Sequence, residues 1–271
     1  QRLYVVDSFE YKKEYFSQVR TEEYPLQIAE NMYVSPAFPK RMLEMIASDK
    51  IPLRDRRYRY SCLNFVLLKE MVEKISGMPM DEYLEKEFYG PMGMKYTLYN
   101  PLRKYKSEQI VPTIQKDYLR NRKELRGYVH DEIAAFMGGV SGNAGLFSNA
   151  HDVAKVYQML VDGGQYEGKR YLSLETCQLF MNKKSRISRR ALGFDRPDPQ
   201  PDKGPCADEA PKEVVGHTGF TGTCAWADPK NGLVFVFISN RIHPRVFDHK
   251  NLMTLNIRPR IQQIMYQALM K

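Results

Sequence analysis

The 271 residues contain one tryptophan, four cysteines and no run of about eighteen apolar residues, so no stretch of this sequence reads as a membrane-spanning helix. The longest apolar stretch, Leu233-Val234-Phe235-Val236-Phe237-Ile238, has only the length of a buried strand. Cys62, Cys177, Cys206 and Cys224 are far apart and form no C-x-x-C pair, which argues against a metal site. Buried free thiols are the expectation, with a disulfide left open until geometry is known. Internal repeats and low-complexity segments are also missing. The opening Gln1-Arg2-Leu3-Tyr4 carries neither an initiator Met nor a charged-then-apolar signal pattern, and reads as a chain cut or matured from something longer.

What is present is ample for a packed core: 43% of the residues are hydrophobic and 12% aromatic. The net charge is +9, from 41 basic and 32 acidic residues. A nucleic-acid binder would gather that excess on one face. The candidate basic cluster is Arg54-Asp55-Arg56-Arg57-Tyr58-Arg59-Tyr60. Elsewhere the signs alternate, as in Glu82-Tyr83-Leu84-Glu85-Lys86-Glu87, so a solvated mixed surface is expected and no nucleic-acid partner.

The segment up to about Arg57 mixes short helical patterns with Pro36 and Pro39. From Ser61 a helix is predicted, with Leu63, Val66, Leu67, Met71, Val72 and Ile75 on its inner face and Gly77 as its C-terminal cap. A shorter helix over 80–88 should stop at Gly90-Pro91. Another should follow Ser148, which can cap it, with Val153, Ala154, Val156, Tyr157 and Leu160 facing inward and Gly163-Gly164 ending it. Ser173 should cap a short helix through Phe180. Residues 197–211 read as a surface loop. Strands are predicted at 214–218, 223–227 and 233–239, with Asp228-Pro229-Lys230-Asn231-Gly232 as a turn between the last two. A terminal helix should bury Ile257, Ile261, Ile264, Met265 and Leu269. Helices followed by an antiparallel meander make an α+β fold.

Two constellations carry chemistry. Gly216-His217-Thr218-Gly219-Phe220-Thr221-Gly222 ends a strand with glycines that let a substrate approach the backbone, and offers N–H groups to a developing oxyanion. Taken alone it reads equally well as a glycine-rich strand turn. Tyr60-Ser61-Cys62 opens a helix; a tyrosine there acts as a base only beside cations, and in isolation a core tyrosine next to a capping Ser is the simpler reading.

The combination changes this. Tyr60-Ser61, Ile75-Ser76-Gly77, Tyr83-Leu84 and Gly90-Pro91-Met92-Gly93-Met94 follow one another, then Gly138-Gly139, Gly142-Asn143-Ala144-Gly145-Leu146-Phe147-Ser148, Asp152 and His217-Thr218-Gly219. This succession resembles the penicillin-recognising serine hydrolases: class C β-lactamases, D-alanyl-D-alanine peptidases and related esterases. The resemblance runs from Arg57 to Lys271. It implies one incomplete β-lactamase/transpeptidase-like domain over 1–271, with a mainly helical part near 58–195 and sheet strands and terminal helix near 212–271. It also implies acyl-enzyme hydrolysis of a cell-wall peptide, ester or amide carbonyl without cofactor or metal, in the periplasm or outside the cell. Tyr60 matches the tyrosine of the Tyr-x-Asn element, which moves protons at the nucleophile. His217-Thr218-Gly219 matches Lys-Thr-Gly, and the Phe220 N–H would form half of the oxyanion hole. Asn143, Gly145, Cys62 and, as a subgroup feature, His130 in Val129-His130-Asp131-Glu132 would lie on the substrate side. The downstream end further resembles chains in which a β-N-acetylglucosaminidase-type glycoside hydrolase precedes such a domain.

Three departures stand out. Cys62 occupies the place of the Asn that orients an acylamino substrate. His217 replaces a permanently charged Lys with a group that titrates near neutrality. No serine here is followed three residues on by lysine; Ser17-Gln18-Val19-Arg20 comes nearest, and Arg does not give up its proton. The expectation is therefore a serine hydrolase whose nucleophile is not in this chain, or else an inactive peptidoglycan-binding relative. Cys62 as nucleophile would need an activating base, and none of His130, His151, His217, His243 or His249 is tied to it by sequence.

Overall fold

The computed structural model describes residues 13–48, 58–200, 204–246, 248 and 250–269. Most of the basic cluster, at 51–57, and His249 lie outside the described residues. The chain divides into two compact units. One holds the described residues up to Glu85 together with Leu98–Phe147; the other holds Lys86–Thr97 and the described residues from Ser148 onward.

The first unit opens on a three-stranded antiparallel sheet, β1 (Phe16–Ser17), β2 (Leu26–Ala29) and β3 (Met32–Val34), in the order β1-β3-β2. Helical patterning there is thus a misreading up to Ser35. Asn31, at a left-handed φ of 49°, turns β2 straight into β3. Helix α1 (Ala37–Ser48) follows, with Pro39 tolerated in its first turn, where its missing N–H leaves no hydrogen bond unmade. Its Phe38 and Met42 pack with Ile28, Val34, Val66, Phe136 and Met137 to make the core of this unit.

Helix α2 (Leu63–Ser76) ends at Gly77, whose φ of 68° gives the left-handed cap expected of it. Its predicted inner face is corrected. Val66 is buried, but Leu67, Met71 and Ile75 are exposed, Ile75 at 82%. The face turned inward instead carries Lys69, which donates to Glu73 at 2.6 Å and to Glu70 at 3.0 Å. Glu73 also accepts the Met80 N–H at the start of α3 (Met80–Leu84), so a polar link ties the two helices. Apolar periodicity alone could not see that link.

After α3 the chain continues helically through Tyr89, close to the expected limit. The first unit then adds β4 (Leu98–Tyr99), the hairpin β5 (Pro112–Asp117) and β6 (Arg122–Arg126), α4 (Glu132–Phe136), and β7 (Leu146–Phe147), which pairs with β4.

In the second unit α5 (Ala150–Val161) is capped by Asn149, whose Oδ1 accepts the Asp152 N–H at 2.8 Å. The predicted cap, Ser148, instead shares a 2.7 Å hydrogen bond with Thr97. A short hairpin, β8 (Gln165–Tyr166) and β9 (Lys169–Arg170), precedes α6 (Leu174–Asn182), which Ser173 caps as expected by accepting from Thr176. The meander then appears as β10 (Val215–Thr218), β11 (Cys224–Asp228) and β12 (Leu233–Phe237), antiparallel in that order, with α5 packed on β11 and β12. Gly216 must be glycine: a Cβ there would collide with the Ala225 carbonyl and the Trp226 ring.

Short α7 (Asn251–Thr254) leads to α8 (Ile257–Leu269), whose buried face is again not the predicted one. Arg258, Pro259, Gln262 and Tyr266 are buried, while Ile264 and Leu269 are each 64% exposed. Specific polar bonds decide the matter. Tyr266 donates to Asp228 at 2.8 Å, Gln262 accepts the Ala207 N–H at 3.0 Å, and Arg258 donates to the Thr223 carbonyl. The Ala207 bond also corrects the surface-loop reading of 197–211. Cys206, Ala207 and Ala210 are buried against Val214, Trp226, Phe235 and Tyr266.

Candidate active site

In the first unit, Ser61 Oγ accepts the Leu63 N–H at the head of α2, while Tyr60, just before it, is 57% exposed. The core-tyrosine reading of Tyr60 is thereby removed. Cys62 is half-buried, with Tyr60 and Asn143 among the groups that act on its thiol. Burial, and then the nearby Asp131 charge, push the Cys62 thiol above its ordinary value, against the opposing pull of Asn143 and Tyr60. A thiol shifted upward is poorly suited to nucleophilic attack.

Asn143 is held on both sides. Its Oδ1 accepts from Ser141 Oγ at 2.7 Å, and its Nδ2 donates to Asp131 Oδ1 at 3.0 Å. Asp131 also caps α4, accepting from Ala134 N–H at 2.8 Å. Gly142, next in the loop, passes so close to the Phe65 carbonyl that a Cβ would not fit, which fixes the loop against the first turn of α2. Gly145 wraps onto Tyr99, whose hydroxyl donates to the Ser141 carbonyl at 3.3 Å. His130 stands on the segment leading into Asp131. Its carbonyl and that of Val129 accept from the buried Arg120, which is paired with Asp117. Tyr60, Cys62, Asn143, Gly145 and His130 thus belong to one unit.

In the second unit, His217-Thr218-Gly219 runs off the end of β10 into an exposed turn at Phe220. Gly219 N–H donates to Thr223 O at 2.8 Å and closes that turn. Arg241 donates from Nε to the Phe220 carbonyl at 2.7 Å, and its guanidinium lies 4.6 Å from the ring centroid, so the turn is pinned from both sides. The His217 ring has a defined orientation. Nδ1 lies 2.7 Å from the Thr218 carbonyl and Nε2 lies 2.6 Å from Arg190 Nη1. A guanidinium can only donate and a carbonyl can only accept, so Nδ1 carries the proton and Nε2 the lone pair.

Arg190 was not legible as a site residue. It lies 27 positions before His217 with a loop between them, and no spacing rule connects the two. The connection runs through Asp195, whose backbone bonds to Gly216 on the free side of β10. The Asp195 carboxylate, 2% exposed, takes Arg189 at 2.7 Å and Arg190 at 3.3 Å. A permanent positive charge therefore stands beside the histidine that replaces the family's lysine.

The four cysteines are free, and Cys177, Cys206 and Cys224 are buried. Among the described residues no group of three or more His, Cys, Asp or Glu side chains could hold a metal ion, and no helix is long and apolar enough to cross a membrane.

An antiparallel meander flanked by helices, with His-Thr-Gly on its edge strand, defines the penicillin-recognising class of folds. The β-lactamase family model matches residues 17–256, and the chain belongs to that family. Among curated relatives, an N-acetylmuramyl-L-alanine amidase of Bacillus subtilis (strain 168) is 36% identical, over 73% of this chain and 48% of its own length. An Escherichia coli (strain K12) protein named for D-alanyl-D-alanine carboxypeptidase activity is 35% identical over 76% of this chain and 50% of its own. This chain thus spans about half the length of the curated relatives it matches. Among solved structures, a β-lactamase from Mycobacterium bovis aligns with a TM-score of 0.53 and 19% identity, covering 78% of this chain and 64% of that one. A penicillin-binding protein homologue from Pyrococcus abyssi aligns with a TM-score of 0.55 and 18% identity, covering 83% and 49%. At that identity the structures bear on the fold alone, and they agree with the α+β expectation.

Proposed function

We propose that this chain provides the recognition and proton-handling groups of an extracytoplasmic acyl-hydrolase, and that its substrate is a cell-wall peptide with a free C-terminal carboxylate. The observation that carries the reading is Arg190 against His217 at the end of β10. A guanidinium is the natural counterpart of a carboxylate, and Thr218 follows His217 at the end of β10. The curated relatives support the substrate class, since they are named for an amidase of muramyl-L-alanine and for D-alanyl-D-alanine carboxypeptidase activity. The family match runs through both units, which supports taking residues 1–271 as one β-lactamase-like domain.

In this reading Tyr60 relays protons, the Phe220 N–H meets the oxyanion, and His217, Thr218 and Gly219 line the carbonyl side. Cys62, Asn143, Gly145 and His130 face the acyl part of the peptide. These residues include no Ser-x-x-Lys, so the acylated serine is not assigned to any of them. That same observation favours a second reading, a binding module without turnover, which shares the recognition chemistry.

Calorimetric titration of the chain with N-acetyl-D-alanyl-D-alanine and with its C-terminal amide tests the shared claim. Arg190→Ala should weaken the acid by roughly 10- to 100-fold, the range for a hydrogen bond to a charged group, and leave the amide unchanged. Equal effects on both ligands would overturn the assignment of the carboxylate to Arg190.

A further inference from the structure

The alternation of charge expected outside residues 54–60 fails over residues 176–194, which carry five basic and no acidic side chains. The five cations fall into two groups. Arg189 and Arg190 are tied to Asp195, at 2.7 and 3.3 Å, and Arg189 also meets Asp198 at 3.4 Å. Lys183, Lys184 and Arg186 are exposed and have no ion-pair partner among the described residues.

The backbone accounts for this division. Helix α6 buries Cys177 and Met181 and ends on Asn182. The Ser185 N–H then donates to the Arg190 carbonyl at 2.8 Å and closes a short loop, inside which the Ile187 N–H donates to Ser185 Oγ at 3.2 Å. The ion pairs hold the base of that loop and leave its tip to solvent.

The tip is apolar as well as cationic. Ile187 is 62% exposed, and Leu179 and Phe180, on the last turn of α6, are exposed too. Lys183 and Lys184 by themselves would suit the negative end of a helix. That role accounts neither for Arg186 nor for large apolar side chains left in water at 179, 180 and 187. Apolar groups interleaved with unpaired cations match the surface of an anionic bilayer, where the cations meet phosphates and the apolar groups enter the acyl boundary. A soluble polyanion would engage the cations and leave the apolar groups wet.

We propose that residues 179–187 form a docking surface for a bilayer carrying anionic phospholipid headgroups, against which the second unit rests without spanning it. The proposal stands independently of the peptide reading.

Co-sedimentation with vesicles tests it. The chain should pellet with vesicles of equal parts phosphatidylcholine and phosphatidylglycerol, and stay in solution with phosphatidylcholine alone. The triple variant Lys183→Gln, Lys184→Gln, Arg186→Gln should bind the anionic vesicles roughly 100-fold more weakly, about fivefold for each cation. Ile187→Ser should weaken the same binding about three- to tenfold and leave the affinity for soluble polyphosphate unchanged. A second readout needs no variant: in the unaltered chain, backbone hydrogen exchange over 179–187 should slow on the anionic vesicles. Pelleting with both vesicles or with neither overturns the proposal. So does a triple variant that binds like the unaltered chain, or exchange that slows elsewhere and not over 179–187. Vesicle binding untouched by Ile187→Ser, with polyphosphate held as tightly, overturns it in favour of a soluble polyanion.

Discussion

At the scale of single residues, the two candidate clusters are built from polar atoms with defined partners. Asp131 serves two of them, capping α4 and orienting Asn143. Asp131→Ala should therefore destabilise the first unit by about 1 kcal/mol or somewhat more, the usual cost of a lost helix cap, with a matching drop in the urea midpoint. His217, Tyr60 and Asn143 could be found in the sequence because glycine-rich turns and family spacing mark them. Arg190, Asp131 and Ser141 could not. Each acts through a contact made by folding, which neither the Val129-His130-Asp131-Glu132 pattern nor the Arg189-Arg190 pair discloses.

At the scale of elements, the strand positions of the meander and the ends of α2 were legible, since glycine caps, turn residues and alternation are local. Which face of a helix turns inward was not. In α2 and α8 the apolar stripe proposed for the core is largely exposed, and polar side chains with buried partners take its place. The consequence is measurable. Ile264→Lys on the exposed face of α8 should change stability by no more than about 0.5 kcal/mol. Gln262→Leu, although more apolar, leaves the buried Ala207 N–H without its acceptor and should cost about 1–3 kcal/mol. Denaturant midpoints of the two variants in the reverse order would show that packing of the stripe, and not polar satisfaction, positions α8. The opening sheet escaped notice because its strands are only two to four residues long, too short for alternation to register.

At the scale of the molecule, buried thiols and phenols set the response to alkali. Burial, the largest cause in each case, pushes Cys206 up to about 12, Cys224 to about 11 and Tyr99 to about 12, from ordinary values of 9.0 for the thiols and 10.0 for the phenol. Their neutral forms are favoured in the fold, so the stability they contribute is complete below pH 9. It is lost as pH rises from about 9 toward 12, because the unfolded chain ionises first. Each group should cost about 1.4 kcal/mol per pH unit in that window, read as a falling urea midpoint in the presence of a reductant. A midpoint constant from pH 8 to 11 would contradict the burial of these groups.

Membership of the β-lactamase family was legible because several short glycine, tyrosine and histidine patterns occur in one order along most of the chain. The recognition chemistry was only half legible, since the cation beside His217 comes from outside any of those patterns. The most direct measurement is the affinity of the chain for N-acetyl-D-alanyl-D-alanine against that for the same peptide with its carboxylate amidated. The acid should bind clearly more tightly than the amide, and that difference should vanish in Arg190→Ala. Equal affinity for acid and amide in the unaltered chain would contradict a carboxylate-recognising site at the end of β10.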